Sequence, residues 1–207
     1  MAQASVKERT SVIVFDFGSV VGGSNQEKLA QKVGKELQLP LNEAKTLVSE
    51  FKKWDGSSSE FWEAYAKNTG KTIPKGWHER FEELKRKVIE ANPQVLKIVQ
   101  ELRAHGFRTA LLANTTPERA LRMRKLGLLS YFDPVVLSCD IGVKKPQTQA
   151  FEIFLKQAQV PASKCLFIDD KQENIDMASS LGFDVILFTS AQDLRRELEK
   201  RSILVSE

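Results

Sequence analysis

Asp16 closes the apolar run Val12-Ile13-Val14-Phe15 and opens the turn Phe17-Gly18-Ser19, and Asp169-Asp170 closes a second run, Leu166-Phe167-Ile168. Asn114, Thr115 and Thr116 follow Thr109-Ala110-Leu111-Leu112-Ala113, and Lys145 stands between Gly142 and Pro146. A carboxylate delivered by so apolar a segment is costly to bury unless a charged partner meets it. Three carboxylates brought to one place repel one another unless a cation lies among them, and hard oxygen donors of this kind suit Mg²⁺. Because Mg²⁺ is commonly held by a few carboxylates and completed by phosphate oxygens, a small phosphorylated substrate is the natural complement. Lys145 and the amide donors around Asn114 and Thr115 would face the same anion.

The elements that must bring these residues together are legible as pattern. Four consecutive β-branched or aromatic residues at 12–15 suit a strand buried on both faces, as in the middle of a parallel sheet. From Asn92-Pro93, an N-cap followed by proline at the first helical position, helix and strand alternate. The pattern predicts helix Pro93 to His105, strand Arg108 to Ala113, helix Pro117 to Lys125, strand Pro134 to Ser138 and helix Gln147 to Gln157. It continues with strand Cys165 to Asp169, helix Asn174 to Leu181, strand Val185 to Phe188 and helix Gln192 to Arg201. Repeated units of this kind make a parallel α/β sheet with helices on both faces, and ligands bind at the carboxyl edge of such sheets. Between the first strand and this array lies an all-α stretch after the turn Gly22-Gly23-Ser24-Asn25. Its predicted helices run from Gln26 to Leu37, Leu41 to Trp54, Ser58 to Asn68 and Lys75 to Glu90, with Pro40, Gly56, Gly70 and Pro74 as punctuation. The expected organisation is a core of 1–21 with 92–207 and an inserted helical module of 22–91.

Composition excludes several classes. The chain has 207 residues, 42% hydrophobic and 28% charged, an ordinary globular balance with no apolar run long enough to span a membrane. Residues 1–10 are polar and lack the apolar segment of a signal peptide, so a cytoplasmic location is expected. Net charge is +4, but the basic residues around Lys85-Arg86-Lys87, Arg122 to Lys125 and Arg195 to Arg201 sit on polar helix faces. No nucleic-acid reading motif accompanies them, so neither nucleic acid nor membrane is an expected partner. Only Cys139 and Cys165 occur, each beside strand-like residues, and both are expected as buried reduced thiols. His78 and His105 lie in helices away from the polar segments, and the aromatics Trp54, Phe61, Trp62, Tyr65, Trp77 and Phe81 recur at helical spacing as module core.

Taken as a set, Asp16, Asn114, Lys145-Pro146 and Asp169-Asp170 with Asn174 resemble the four motifs of the haloacid dehalogenase-like hydrolases, in order, from Val12 to about Phe188. The helical module is similar to that family's small cap. The turn Asp16-Phe17-Gly18-Ser19-Val20 and the Asp169-Asp170 pair resemble the branch that includes sugar-phosphate phosphatases and the phosphatase-like domain of epoxide hydrolases. The resemblance implies a Rossmann-like core and a phosphatase in which Asp16 attacks phosphorus to form an aspartyl-phosphate. It implies Mg²⁺ held by Asp16, the main-chain carbonyl of Gly18, and Asp169 with or through Asp170. Asn114, the amide of Thr115 and the ammonium of Lys145 would hold the transferring group.

Two positions depart from the family pattern. Gly18 stands where most family phosphatases carry the aspartate that protonates the leaving group, and Ala113 where they carry a phosphate-binding hydroxyl. The alternatives are therefore a catalytically impaired phosphate- or partner-binding protein and a dehalogenase-like hydrolase that needs no metal. Neither the particular substrate nor the oligomeric state is written in these motifs.

Overall fold

The computed structural model describes residues 10–54 and 56–205. The reading of residues 1–9 as free of a leader lies outside them. The chain forms two compact units, one of Met1–Gly23 with Ala91–Glu207 and one of Ser24–Glu90.

The first unit is a five-stranded parallel sheet. Its strands are β1 (Val12–Phe15), β4 (Arg108–Ala113), β5 (Val135–Leu137), β6 (Cys165–Asp169) and β7 (Asp184–Leu187), in the order β5-β4-β1-β6-β7. β1 takes the centre because all four of its side chains are apolar and none exceeds 1% exposure. Burial of this order contributes about 1.5–3 kcal/mol for each large side chain. Alternation divides the strand between two cores. Val12 and Val14 join Ala110, Leu112, Phe151, Phe154, Phe167 and Phe183, which leaves Ile13 and Phe15 for the opposite face. Helices α5 (Pro93–Ala104), α6 (Pro117–Lys125), α8 (Thr148–Ala158), α9 (Gln172–Ser180) and α10 (Ala191–Lys200) connect the strands or follow the last of them, and the four-residue α7 (Ser138–Ile141) directly follows β5. The Asn92 signal is realised: its side chain accepts from the N–H groups of Gln94 and Val95, with Pro93 at the first helical position.

Register fixes which loops share an edge. Phe15 is paired with Leu111 on one side and Ile168 on the other, and the Asp16 N–H donates to Ile168 O at 2.8 Å. Asp16, the end of β4 and Asp169 are thereby neighbours at the carboxyl edge, although some 150 residues separate the first from the last.

The second unit contains α1 (Gln26–Leu37), α2 (Leu41–Lys53), α3 (Ser58–Thr69) and α4 (Trp77–Lys87). Its core combines Leu29, Val33, Leu47 and Val48 with Phe61, Trp62, Trp77 and Phe81. A Cβ on Gly34 would stand 3.1 Å from Leu39 O and 3.3 Å from the Ala44 Cβ, so the absence of a side chain there allows the chain after α1 to fold back closely. α3 opens with a capping box in which Ser57 and Glu60 satisfy each other's main-chain N–H.

Three local expectations are corrected. The helix expected over Lys75 to Glu90 occupies only Trp77–Lys87, and Ile89–Ala91 forms strand β3 instead. Its partner is β2, Gly22–Ser24, in the segment expected as a turn. The pairing joins residues more than 60 positions apart, which no local period reveals, and the β-branched Val88-Ile89 pair already weakens the helix there. Cys139 lies half-buried on α7 rather than as a buried strand thiol, whereas Cys165 is buried and its thiol is pushed up to about 12 by that burial.

Candidate active site

At the carboxyl edge the sheet assembles a buried charge cluster. Lys145 Nζ donates to Asp16 Oδ1 at 2.7 Å and to Asp169 Oδ2 at 2.6 Å, and the Lys145 side chain is 1% exposed. Adjacent Lys144 is exposed, so the burial belongs to the position and not to the charge type. Ligand oxygens of Asp16, Asp169 and Asp170 all lie within 4.8 Å of one another. One ammonium against three carboxylates leaves a surplus of negative charge. Burial, reinforced by Asp169 and Asp170 and opposed by Lys145, pushes the Asp16 carboxyl up to about 6.

The two carboxylates of the second motif are held differently. Asp169 is fully buried, and its Oδ1 accepts from Lys171 N and Asn174 Nδ2 while Oδ2 accepts from Lys145 Nζ and Asn174 Nδ2. Its lone pairs are therefore committed to protein donors. Asp170 is half-buried; burial and the charge of Asp169 push its carboxyl up, against a hydrogen bond from Ser19. Ser19 holds φ at 62°, a left-handed backbone that costs a non-glycine residue on the order of 1 kcal/mol. Gly18 is adjacent: a Cβ built on it would stand 3.4 Å from Asp16 Oδ2.

The donors expected to face an anion are engaged elsewhere. Asn114 Nδ2 donates to Lys145 O at 2.8 Å and its Oδ1 accepts from Lys145 N at 2.9 Å, so the side chain grips the lysine's main chain at both groups. The Thr115 N–H donates to Ser138 Oγ at 2.9 Å. The Thr116 hydroxyl caps α6 by accepting from Arg119 N, and Ala113 is buried at the end of β4. Sequence reasoning missed Ser19 and Ser138. Ser19 lies within the first motif's turn and Ser138 closes the expected strand Pro134 to Ser138, but serine at a turn or strand end carries no signal of its own.

Residues 10–182 match the model of the haloacid dehalogenase-like hydrolases. The chain belongs to that family. Among curated relatives, the D-ribitol-5-phosphate phosphatase of Bacteroides thetaiotaomicron is 27% identical over 206 residues, covering 90% of this chain and 95% of the relative. Acyl-CoA dehydrogenase family member 10 of Mus musculus is 31% identical over 111 residues, 52% of this chain. Bifunctional epoxide hydrolase 2 of Rattus norvegicus is 28% identical over 114 residues, 53% of this chain. The chain spans only 10% and 21% of those two mammalian proteins. A solved family enzyme from Bacteroides thetaiotaomicron, a magnesium complex, superposes with a TM-score of 0.62 at 18% identity, covering 92% of this chain and 98% of that one. At that identity the likeness bears on the fold of this hydrolase.

The raised Asp16 carboxyl carries a pH signature. A folded-state value of about 6 against 3.8 for the free acid means that the folded protein binds the proton more tightly. Stability from this group is therefore present at low pH and lost as pH rises from about 4 to 6, by roughly 3 kcal/mol. In chelator, the stability difference between Asp16→Asn and the parent should swing toward the variant by that order between pH 4 and 7. Urea titrations at several pH values measure it, and a flat difference would show that Asp16 titrates normally.

Proposed function

We propose that this hydrolase is a Mg²⁺-dependent phosphatase of small phosphorylated substrates, with Asp16 as the nucleophile. The observation that carries the reading is the cluster of three carboxylate oxygens within 4.8 Å at the carboxyl edge of the sheet, a charge density that calls for a cation. The donor set fits a hard divalent ion. Asp16, Asp170 and the main-chain carbonyl of Gly18 would hold it, while Asp169 supports the site through Lys145. When bound, the ion supplies charge neutralisation for the transferring phosphoryl group.

The chain's own residues account for the rest. Lys145 holds Asp16 Oδ1, which leaves Oδ2, the oxygen beside Gly18, to attack phosphorus. The attack forms the Asp16 Oδ2–P bond and breaks the bond from phosphorus to the ester oxygen. Water then attacks phosphorus in turn, releasing phosphate and regenerating the carboxylate. The ammonium of Lys145 offsets charge on the transferring group from a buried position, where it acts at reduced dielectric. On this reading the Ser24–Glu90 unit corresponds to the family's small helical cap. The phosphatase named among the relatives supports the substrate class.

Mg²⁺ is expected to raise the melting temperature of the parent by mass action, and Asp170→Asn to abolish the shift. Hydrolysis of a panel of sugar phosphates and an aryl phosphate should be lost on chelation. An undiminished Mg²⁺ shift in Asp170→Asn would remove that residue from the metal site, and chelator-resistant hydrolysis would end the metal-dependent reading. Gly18 and Ala113 favour a second reading, a phosphate-binding protein with little turnover. Phosphate binding in Mg²⁺ without hydrolysis of any ester would select it.

A further inference from the structure

Two loops at the carboxyl edge are tied to each other twice. The first follows β4 and contains Asn114, Thr115 and Thr116; the second follows β5, runs through α7 and ends at Lys145. At the far end, Asn114 grips the Lys145 main chain through both its amide N and O. At the near end, Ser138 Oγ accepts from the Thr115 N–H at 2.9 Å and donates to the Thr115 carbonyl at 3.1 Å. A single hydroxyl thus uses its donor and an acceptor on the main chain of one residue.

Asn114 itself is exposed. Its grip rests on two part-buried hydrogen bonds to the Lys145 main chain and therefore on where its own backbone is held. The neighbouring threonines add little anchorage: the Thr116 hydroxyl is spent on the cap of α6, and the Thr115 hydroxyl is buried with no hydrogen-bond partner. Ser138, half-buried at the start of α7, ties this loop through both main-chain groups of Thr115. We propose that Ser138 is a positioning residue for Lys145, acting through Thr115 and Asn114 to hold the ammonium between Asp16 and Asp169. Its hydroxyl bonds to the two main-chain groups of Thr115 and not to Lys145 or the carboxylates, so its action is by relay. The catalytic part of this inference rests on the phosphatase reading; the structural part does not.

Amide hydrogen exchange with residue resolution tests the relay on the full chain. In Ser138→Ala the Thr115 amide loses its acceptor, and the Lys145 amide, whose acceptor is Asn114 Oδ1, should also exchange about tenfold faster or more, with the β1 amides unchanged. Ser138→Thr keeps the hydroxyl and should restore both, which separates the relay from general loosening. In turnover, Ser138→Ala should lower kcat by about 10–100-fold, the usual range for supporting residues, with KM changed much less. Adding Ser138→Ala to Asn114→Ala should then lower kcat no further, because the two act in series. Unchanged Lys145 protection in Ser138→Ala overturns the relay, as does full additivity of the two substitutions. If the parent cleaves no phosphate ester, the functional reading fails, and the exchange data still decide the role of Ser138.

Discussion

Lys145→Met is expected to cost the metal-free protein about 3–5 kcal/mol, the range for breaking a buried ion pair by removing one partner. Methionine keeps most of the volume of the stem, so the loss is electrostatic and not a cavity effect. The ammonium lies 2.7 Å from one buried carboxylate and 2.6 Å from another; without it, Asp16 and Asp169 face each other unneutralised. For a chain of this size the loss corresponds to roughly 6–20 °C in melting temperature. The penalty should shrink at pH 5, where Asp16, already pushed up to about 6, takes a proton in place of the lysine. Lys144→Met is the control, since Lys144 is exposed, and surface substitutions of this kind stay within about 0.5 kcal/mol. Melting both variants in chelator gives the answer. Equal, small shifts would show that the buried lysine neutralises nothing.

Gly18→Asp is expected to raise hydrolysis of a sugar phosphate by about 10²–10⁴-fold, the usual yield of a positioned general acid, and that of an activated aryl phosphate far less. An alkoxide needs a proton in order to leave, whereas a phenolate departs without one. The turn has room for the change: a Cβ at position 18 meets Asp16 Oδ2 at an ordinary contact distance of 3.4 Å, and Gly18 is not among the glycines with positive φ. The new carboxylate sharpens the charge surplus at the site, so the variant should also depend more steeply on Mg²⁺. The quantity to compare is the ratio of the two gains in kcat/KM, which reports transition-state stabilisation. Equal gains for the two esters, or a parent that already cleaves both at equal rates, would mean that another residue supplies the proton.

The parts of the site that sequence revealed are those whose signal is local and energetic. Asp16 announced itself because a charge after Val12-Ile13-Val14-Phe15 is expensive, and the sheet followed from the same run read as a central strand. Lys145 was separable from Lys144 only through its place before Pro146 and the resemblance to a family. Asn114 and Thr115 were legible as polar groups at a strand end, but their partners were not. The Lys145 main chain and the Ser138 hydroxyl reach them from a loop more than 20 residues away. The resemblance put Asp169 first as a metal ligand, with or through Asp170, whereas the donors around the two acids favour Asp170. Only the donors converging from Lys145, Lys171 and Asn174 distinguish a carboxylate committed to protein from one with capacity left. The pairing of Gly22–Ser24 with Ile89–Ala91 was missed for the same reason: it is written in neither segment alone.

The central place of β1 also sets a timetable for synthesis. Val12 to Phe15 are made well before their partners on either side, residues 108–111 and 165–168. At translation rates of about 5–20 residues per second, the strand waits roughly 8–30 s before its second neighbour exists. During that interval four apolar residues with at least one unpaired edge are open to wrong partners, a liability shared by proteins built on non-local parallel pairing. Asp16 lacks both Lys145 and Asp169 until residue 145 is made, and lacks Asp169 until the end of β6, so a ribosome-bound chain short of residue 169 carries Asp16 in an incomplete cluster.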